Sequence, residues 1–142
     1  MQRSDYILRM IERLGQMLIQ LRKKLLGQVD SERFDEELNA IARTGSVDIE
    51  VARIASADTL VMLVAQSGVV EPSRCWLLAE LLYLDGLQAR AEDRHGDARD
   101  RFDKAIRLFS LIEPGGVQLV GWPEASERIA EMQSLMREHG TA

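Results

Sequence analysis

The sequence predicts an all-α fold, a single-domain helical bundle, and three observations predict it. Apolar residues at Ile7, Ile11, Leu14, Leu18, Leu21 and Leu25 alternate spacings of four and three, the heptad seam of a long amphipathic helix. The ten glycines and three prolines fall mostly between such periodic stretches, too few for the many turns of a sandwich or barrel. Aromatic residues are scarce at 5%, so the core must rest on Leu, Ile, Val, Met and Ala, which pack well on helices.

The first helix spans residues 4–27, with Ser4 as its cap and Gly27 as its stop. Arg22, Lys23 and Lys24 sit near its C-terminus, where positive charge opposes the helix dipole. Leu8, Met10, Met17, Ile19 and Leu26 widen the apolar surface beyond the seam, and Gly15 permits close approach of another backbone. Residues 31–66 read as short helices. The first covers 31–43, capped by Asp30 or Ser31, with Phe34, Leu38 and Ile41 inward. Two more follow over 47–54 and 57–66, with Ser56 capping between them. Ile49, Val51 and Ile54 are expected inward on the former, and Leu60, Met62, Leu63 and Val64 on the latter.

Pro72 opens a long helix over 72–92, and a second covers 95–112. Glu113-Pro114-Gly115-Gly116 ends that pair, and Val117 to Trp122 is expected as an extended segment over the helices. Pro123 opens the last helix, 123–138, with Ile129, Met132, Leu135 and Met136 inward.

Charge is uneven. Residues 1–27 hold six basic residues against two acidic ones, a balance of +4, while the whole chain carries −5, leaving −9 on the remainder. A net acidic chain disfavours nonspecific nucleic-acid binding. The basic helix would instead be drawn to an acidic body, its own or a neighbour's. Cys75 is the single cysteine, which excludes an internal disulfide and suits a reducing compartment. No secretory signal opens the chain and no apolar run reaches spanning length, so a cytoplasmic location is expected.

The residues between 79 and 109 follow the pattern of a helical hairpin. Ala79, Leu82, Gly86 and Ala89 line one helix face; Ala98, Phe102, Ala105 and Phe109 line the other. Small residues allow close backbones, and Phe102 fills the space beside them. The spacing of Gly86, Ala89, Ala98, Phe102 and Ala105 resembles the tetratricopeptide repeat, whose signature places Gly, Tyr, Ala, an aromatic and Ala there. Ala89 departs from the aromatic, Asp93 from the turn glycine and Asp85 from a leucine. The pattern does not recur one repeat length away, so the resemblance implies one hairpin and no stacked peptide groove. The chain also resembles a family of small uncharacterised bacterial proteins, a domain of unknown function. That likeness rests on Asp5-Tyr6-Ile7-Leu8-Arg9-Met10-Ile11-Glu12-Arg13-Leu14-Gly15 and on Leu77-Leu78-Ala79-Glu80-Leu81-Leu82 with Ala98 and Ala105. It implies fold and compartment, and brings no activity.

No phosphate-cradling glycine motif or nucleophile elbow is present. Glu92 and His95 have the spacing of a di-iron ligand pair, but no second pair exists to complete such a site. Cys75, beside Trp76, Leu77 and Leu78, reads as inert packing, and the alternating charges from Glu92 to Arg101 read as a solvated helix surface. No catalytic, metal or cofactor residue is assigned, so no enzyme and no cofactor is expected. The expected function is a noncatalytic protein–protein interaction or structural protein. It self-associates as a homodimer through Ile7, Ile11, Leu14, Leu18, Leu21 and Leu25, with Trp122 as a candidate partner contact. The alternatives are a membrane-surface protein using the basic first helix, and a small-ligand site between helices.

Overall fold

The computed structural model describes residues 2–27, 30–65, 68–112 and 122–138, with side chains from Arg9 onward. Among the described residues all regular structure is helical: α1 (Gln2–Leu26), α2 (Ser31–Thr44), α3 (Ile49–Ile54), α4 (Ala57–Val64), α5 (Pro72–Ala91), α6 (His95–Phe109) and α7 (Ala125–Glu138). α1 starts at Gln2, so Ser4 lies inside the helix rather than capping it. The expected segment at 117–121 lies outside the described residues.

Helix boundaries follow local chemistry. Gly27 closes α1 by donating its N–H to the Lys23 and Lys24 carbonyls. The Asp48 carboxylate accepts from the Glu50 and Val51 N–H groups and starts α3. Ser56, in extended backbone, accepts from the Thr59 N–H and starts α4, which keeps the two short helices separate. At α5, Pro72 occupies the first turn and the Glu71 carboxylate accepts from the Arg74 N–H.

α5 is the axis of the molecule. Every residue from Cys75 to Gly86 is buried, so the helix has no solvent face. α1, α2, α3, α4 and α6 all pack on it, and α7 lies against α6. One hydrophobic core runs through all seven helices, from Ile11 on α1 to Met132 on α7. The seam of α1 belongs to that core: Ile11, Leu14, Leu18, Leu21 and Leu25 are all buried within this chain.

α3 and α4 differ from expectation. Ile49 and Ala52 face the core on α3, three residues apart, which turns Val51 and Ile54 outward at 44% and 86% exposure. On α4, Leu60 and Val64 take the inner face and leave Met62 at 71% and Leu63 at 37% exposure. α3 is also held from outside its own sequence. Lys104 of α6 is buried and donates to the Ala52 and Arg53 carbonyls, capping the last turn of α3.

α5 and α6 form an antiparallel hairpin closed by the turn 92–94, with Asp93 at φ +60° in the left-handed region that Asp tolerates better than most residues. The interlock of small against large is present. A Cβ placed on Gly86 would come within 2.5 Å of Phe102 Cε1 and 2.6 Å of Cδ1. A flat ring confined in a packed core cannot swing aside as a surface side chain can. Gly86→Ala is therefore expected to cost about 1–3 kcal/mol through overpacking. Urea denaturation will show this as a lower midpoint, and adding Phe102→Leu, which clears the space, should recover part of the loss beyond simple additivity.

Candidate functional site

Two buried carboxylates on α5 organise the polar interior. Asp85, only 5% exposed, lies on the side facing α3 and α6. It accepts from Arg53 Nε at 3.0 Å, Arg53 Nη2 at 2.8 Å and Arg101 Nε at 2.9 Å. Arg53 also donates to Asp35 at 2.6 Å and Glu50 at 2.9 Å. Arg101, the last member of the alternating charged run, is therefore a partner of the core and not a solvated charge. These groups floor a polar cleft of about 530 Å³, whose rim includes Ser31, Gln88 and Arg94. Arg94 is itself engaged by Glu92 and Asp97.

Glu80, 1% exposed, lies five residues earlier on α5. Its Oε2 accepts from Arg128 Nε and from Trp122 Nε1, both at 3.1 Å. Arg128 is buried too. Its guanidinium lies 4.4 Å from the Tyr83 ring centroid and 5.6 Å from that of Trp122, and Nη1 donates to the Tyr83 hydroxyl at 3.3 Å. Tyr83 donates onward to Glu131. Burial holds the Glu80 carboxyl above the usual range despite the charge and hydrogen bonds of Arg128. Burial, and then the hydrogen bond to Glu131, push the Tyr83 hydroxyl up to about 12. Beside this cluster, between α1 and α7, lies a cavity of about 270 Å³ lined by Leu18, Leu84, Trp122, Arg22 and Arg128 among others.

The residues singled out from sequence fall as follows. Ile11, Leu14, Leu18, Leu21 and Leu25 line the core and present no surface to a second copy, which corrects their assignment as a self-association face; the Ile7 side chain lies outside the description. Trp122 turns inward. It stands edge-on to Trp76 at 5.7 Å between centroids and bonds Glu80, so it is an anchor of its own fold rather than a free partner contact. The Cys75 thiol is fully buried and lies 3.2 Å from the Leu108 carbonyl oxygen. Burial, then the nearby Glu71 charge, push it up to about 12, so it is not a poised nucleophile at neutral pH. The Glu92 carboxylate is occupied by Arg94 and Gln88. Among the described residues no group of three or more His, Cys, Asp or Glu is placed to hold a metal ion. No helix among them is long and apolar enough to cross a membrane.

Sequence reasoning passed over Glu80, Arg128, Arg53 and Lys104. The available signal was a single acid inside the run Cys75–Leu84, because a charge within a helix buried all round must have a counter-charge. Comparison with known proteins finds no family model, no curated protein and no solved structure that matches this chain.

The two clusters yield two expectations. Asp85→Ala leaves Arg53 and Arg101 facing a vacancy and should destabilise the fold by about 3–5 kcal/mol. Replacing all three charges together, Asp85→Leu with Arg53→Met and Arg101→Met, should recover most of that loss. Chemical denaturation of both variants checks the pair. Cys75 and Tyr83 are both raised from ordinary values of 9.0 and 10.0, so the folded state holds their protons more tightly than the unfolded state does. Their contribution is fully present below about pH 9 and is lost as pH rises towards 12. A denaturation midpoint measured between pH 8 and 11 should fall, and the fall should be shallower in Cys75→Ala, referenced to its own value at pH 8.

Proposed function

We propose that the chain is a noncatalytic interaction protein that self-associates, with the surface of α3 and α4 as the receiving face and the outer stripe of α1 as the inserted one. The observation that carries this reading is the exposure of Val51, Ile54, Met62 and Leu63 within two adjacent short helices. Large apolar side chains concentrated in one stretch mark contact surfaces more often than scattered ones do. The same two helices and the α3 cap carry Asp48, Glu50 and Asp58; Arg53 pairs with Glu50 and Arg107 with Asp58, which leaves a small net negative charge there.

An acidic rim disfavours pairing this face with its own copy and favours a basic helix. α1 supplies one. With its seam buried, its exposed stripe is Arg9, Arg13, Gln16, Gln20 and Lys23, which continues the seven-residue period on the opposite side. The same acidic rim disfavours docking on anionic lipid. In support of a noncatalytic role, the buried carboxylates of α5 are held by arginines rather than left poised for proton transfer.

Light scattering across concentration tests this. The native chain should gain mass with concentration at low salt and lose it at high salt, since the contact joins opposite charges. Ile54→Lys with Met62→Lys should remain a folded monomer, because both positions are exposed and tolerate substitution within about 0.5 kcal/mol. A native chain that stays monomeric at every concentration and salt would overturn the self-association.

A further inference from the structure

The cavity of about 270 Å³ between α1, α5 and the start of α7 has a division of chemistry that the fold alone does not require. Leu18, Leu84 and Trp122 make apolar walls, while Arg22, Lys23 and Arg128 bring positive charge against the single carboxylate of Glu80. Arg128 is committed to Glu80 at 3.1 Å. Arg22 is not satisfied in the same way. Its Nε is buried without a hydrogen-bond partner, and its Nη2 stands 3.8 Å from Glu131, beyond hydrogen-bonding reach. The Arg22 side chain as a whole is 42% exposed, so its terminal nitrogens reach the cavity mouth with only that long contact to a carboxylate. Lys23, exposed beside it, has no ion-pair partner among the described residues.

We propose that this cavity binds a small amphipathic carboxylate. The acyl chain lies between Leu18, Leu84 and the Trp122 ring, and the carboxylate is held by the exposed terminal nitrogens of Arg22 with Lys23 alongside. Apolar walls with a few convergent polar groups are the usual composition of small-molecule sites. The volume, just under the roughly 300 Å³ at the lower end of such sites, limits the occupant to a short or medium chain rather than a long lipid. Charge sets the sign: with Glu80 neutralised by Arg128, and Glu131 the nearest acid to Arg22, the surplus at the mouth is positive.

Titration calorimetry with octanoate, octanol and acetate on the full chain tests the site. Octanoate should bind one to one, octanol about tenfold more weakly, and acetate not at all. Arg22→Met should bring octanoate down to the octanol affinity and leave octanol unchanged. Lys23→Met, an exposed change that cannot unfold the core, should weaken octanoate alone, by a smaller factor. Equal binding of octanoate and octanol, binding of acetate as tight as that of octanoate, indifference to both substitutions, or no binding of octanoate would each overturn the proposal. Repeating the titration in the Ile54→Lys, Met62→Lys background separates it from self-association, because that variant alters the assembly face and leaves the cavity intact.

Discussion

The structure depends on one constraint: α5 has no solvent face, yet carries two carboxylates. Water reaches Glu80 and Asp85 too little to offset their charge, and an unpaired buried carboxylate costs several kcal/mol. Each must be met by a cation delivered from another helix. Arg128 comes from α7, Arg53 from α3 and Arg101 from α6. The aliphatic side chains around α5 could exchange places with little penalty, since cores accept many packings of similar volume. The ion pairs cannot. A helix that slid or rotated on α5 would carry its arginine away from the acid it serves, so these contacts restrict which arrangement of α3, α6 and α7 is acceptable.

The same constraint explains why α3 exists as a helix. Six residues are far too few to hold a helix in isolation. Asp48 satisfies the N–H groups at one end, and Lys104 takes the carbonyls at the other. Arg53 ties the last turn to Asp85, and Ile49 and Ala52 sit in the core. Held at both ends and underneath, α3 can present Val51 and Ile54 outward without depending on them for its own stability. An apolar surface on a fixed frame loses little conformational entropy on contact, which suits a docking face better than the same residues on a loose loop would.

Much of this fold was legible in the sequence because long helices repeat their signal. About seven turns of α1 fix its period, and Ser56, Pro72 and the pairing of Gly86 with Phe102 acted through local geometry that a residue pattern records. The inward set on α3 and α4 was not legible for the opposite reason. Fewer than three turns cannot distinguish one apolar face from its neighbour when nearly every residue is apolar, so Val51, Ile54, Met62 and Leu63 were assigned inward. The candidate site was harder still. Glu80 meets Arg128 across 48 residues, and Asp85 meets Arg53 across 32. No local rule connects such positions. The seam of α1 could be seen, but a heptad pattern says only that a partner is present, and here the partner is the chain's own core. Asp85 is instructive: an acid on a buried helix, it is met by Arg101 of α6 and by Arg53 of α3, which lies outside the hairpin pattern.

α1 connects the two proposed roles because a helix has more than one side. From Ile11 to Leu25 its seam is occupied by the core, which fixes the helix in place and removes that stretch as a free surface. The side opposite carries Arg9, Arg13 and Lys23 into solvent, and the edge between them turns Arg22 towards the cavity. Positive charge on a helix already anchored by five buried aliphatic residues costs little stability, because those cations remain largely hydrated. That charge can therefore be placed for partners rather than for folding. The +4 of this segment against the −9 of the remainder is excess over what the observed ion pairs of α1 use, since Lys24 with Glu37 and the long contact of Arg22 with Glu131 engage only two of its cations among the described residues. Hydrated cations need no acceptor to be stable, which leaves them available to the two proposed partners, an acidic face on a second copy and an anionic ligand at the cavity mouth.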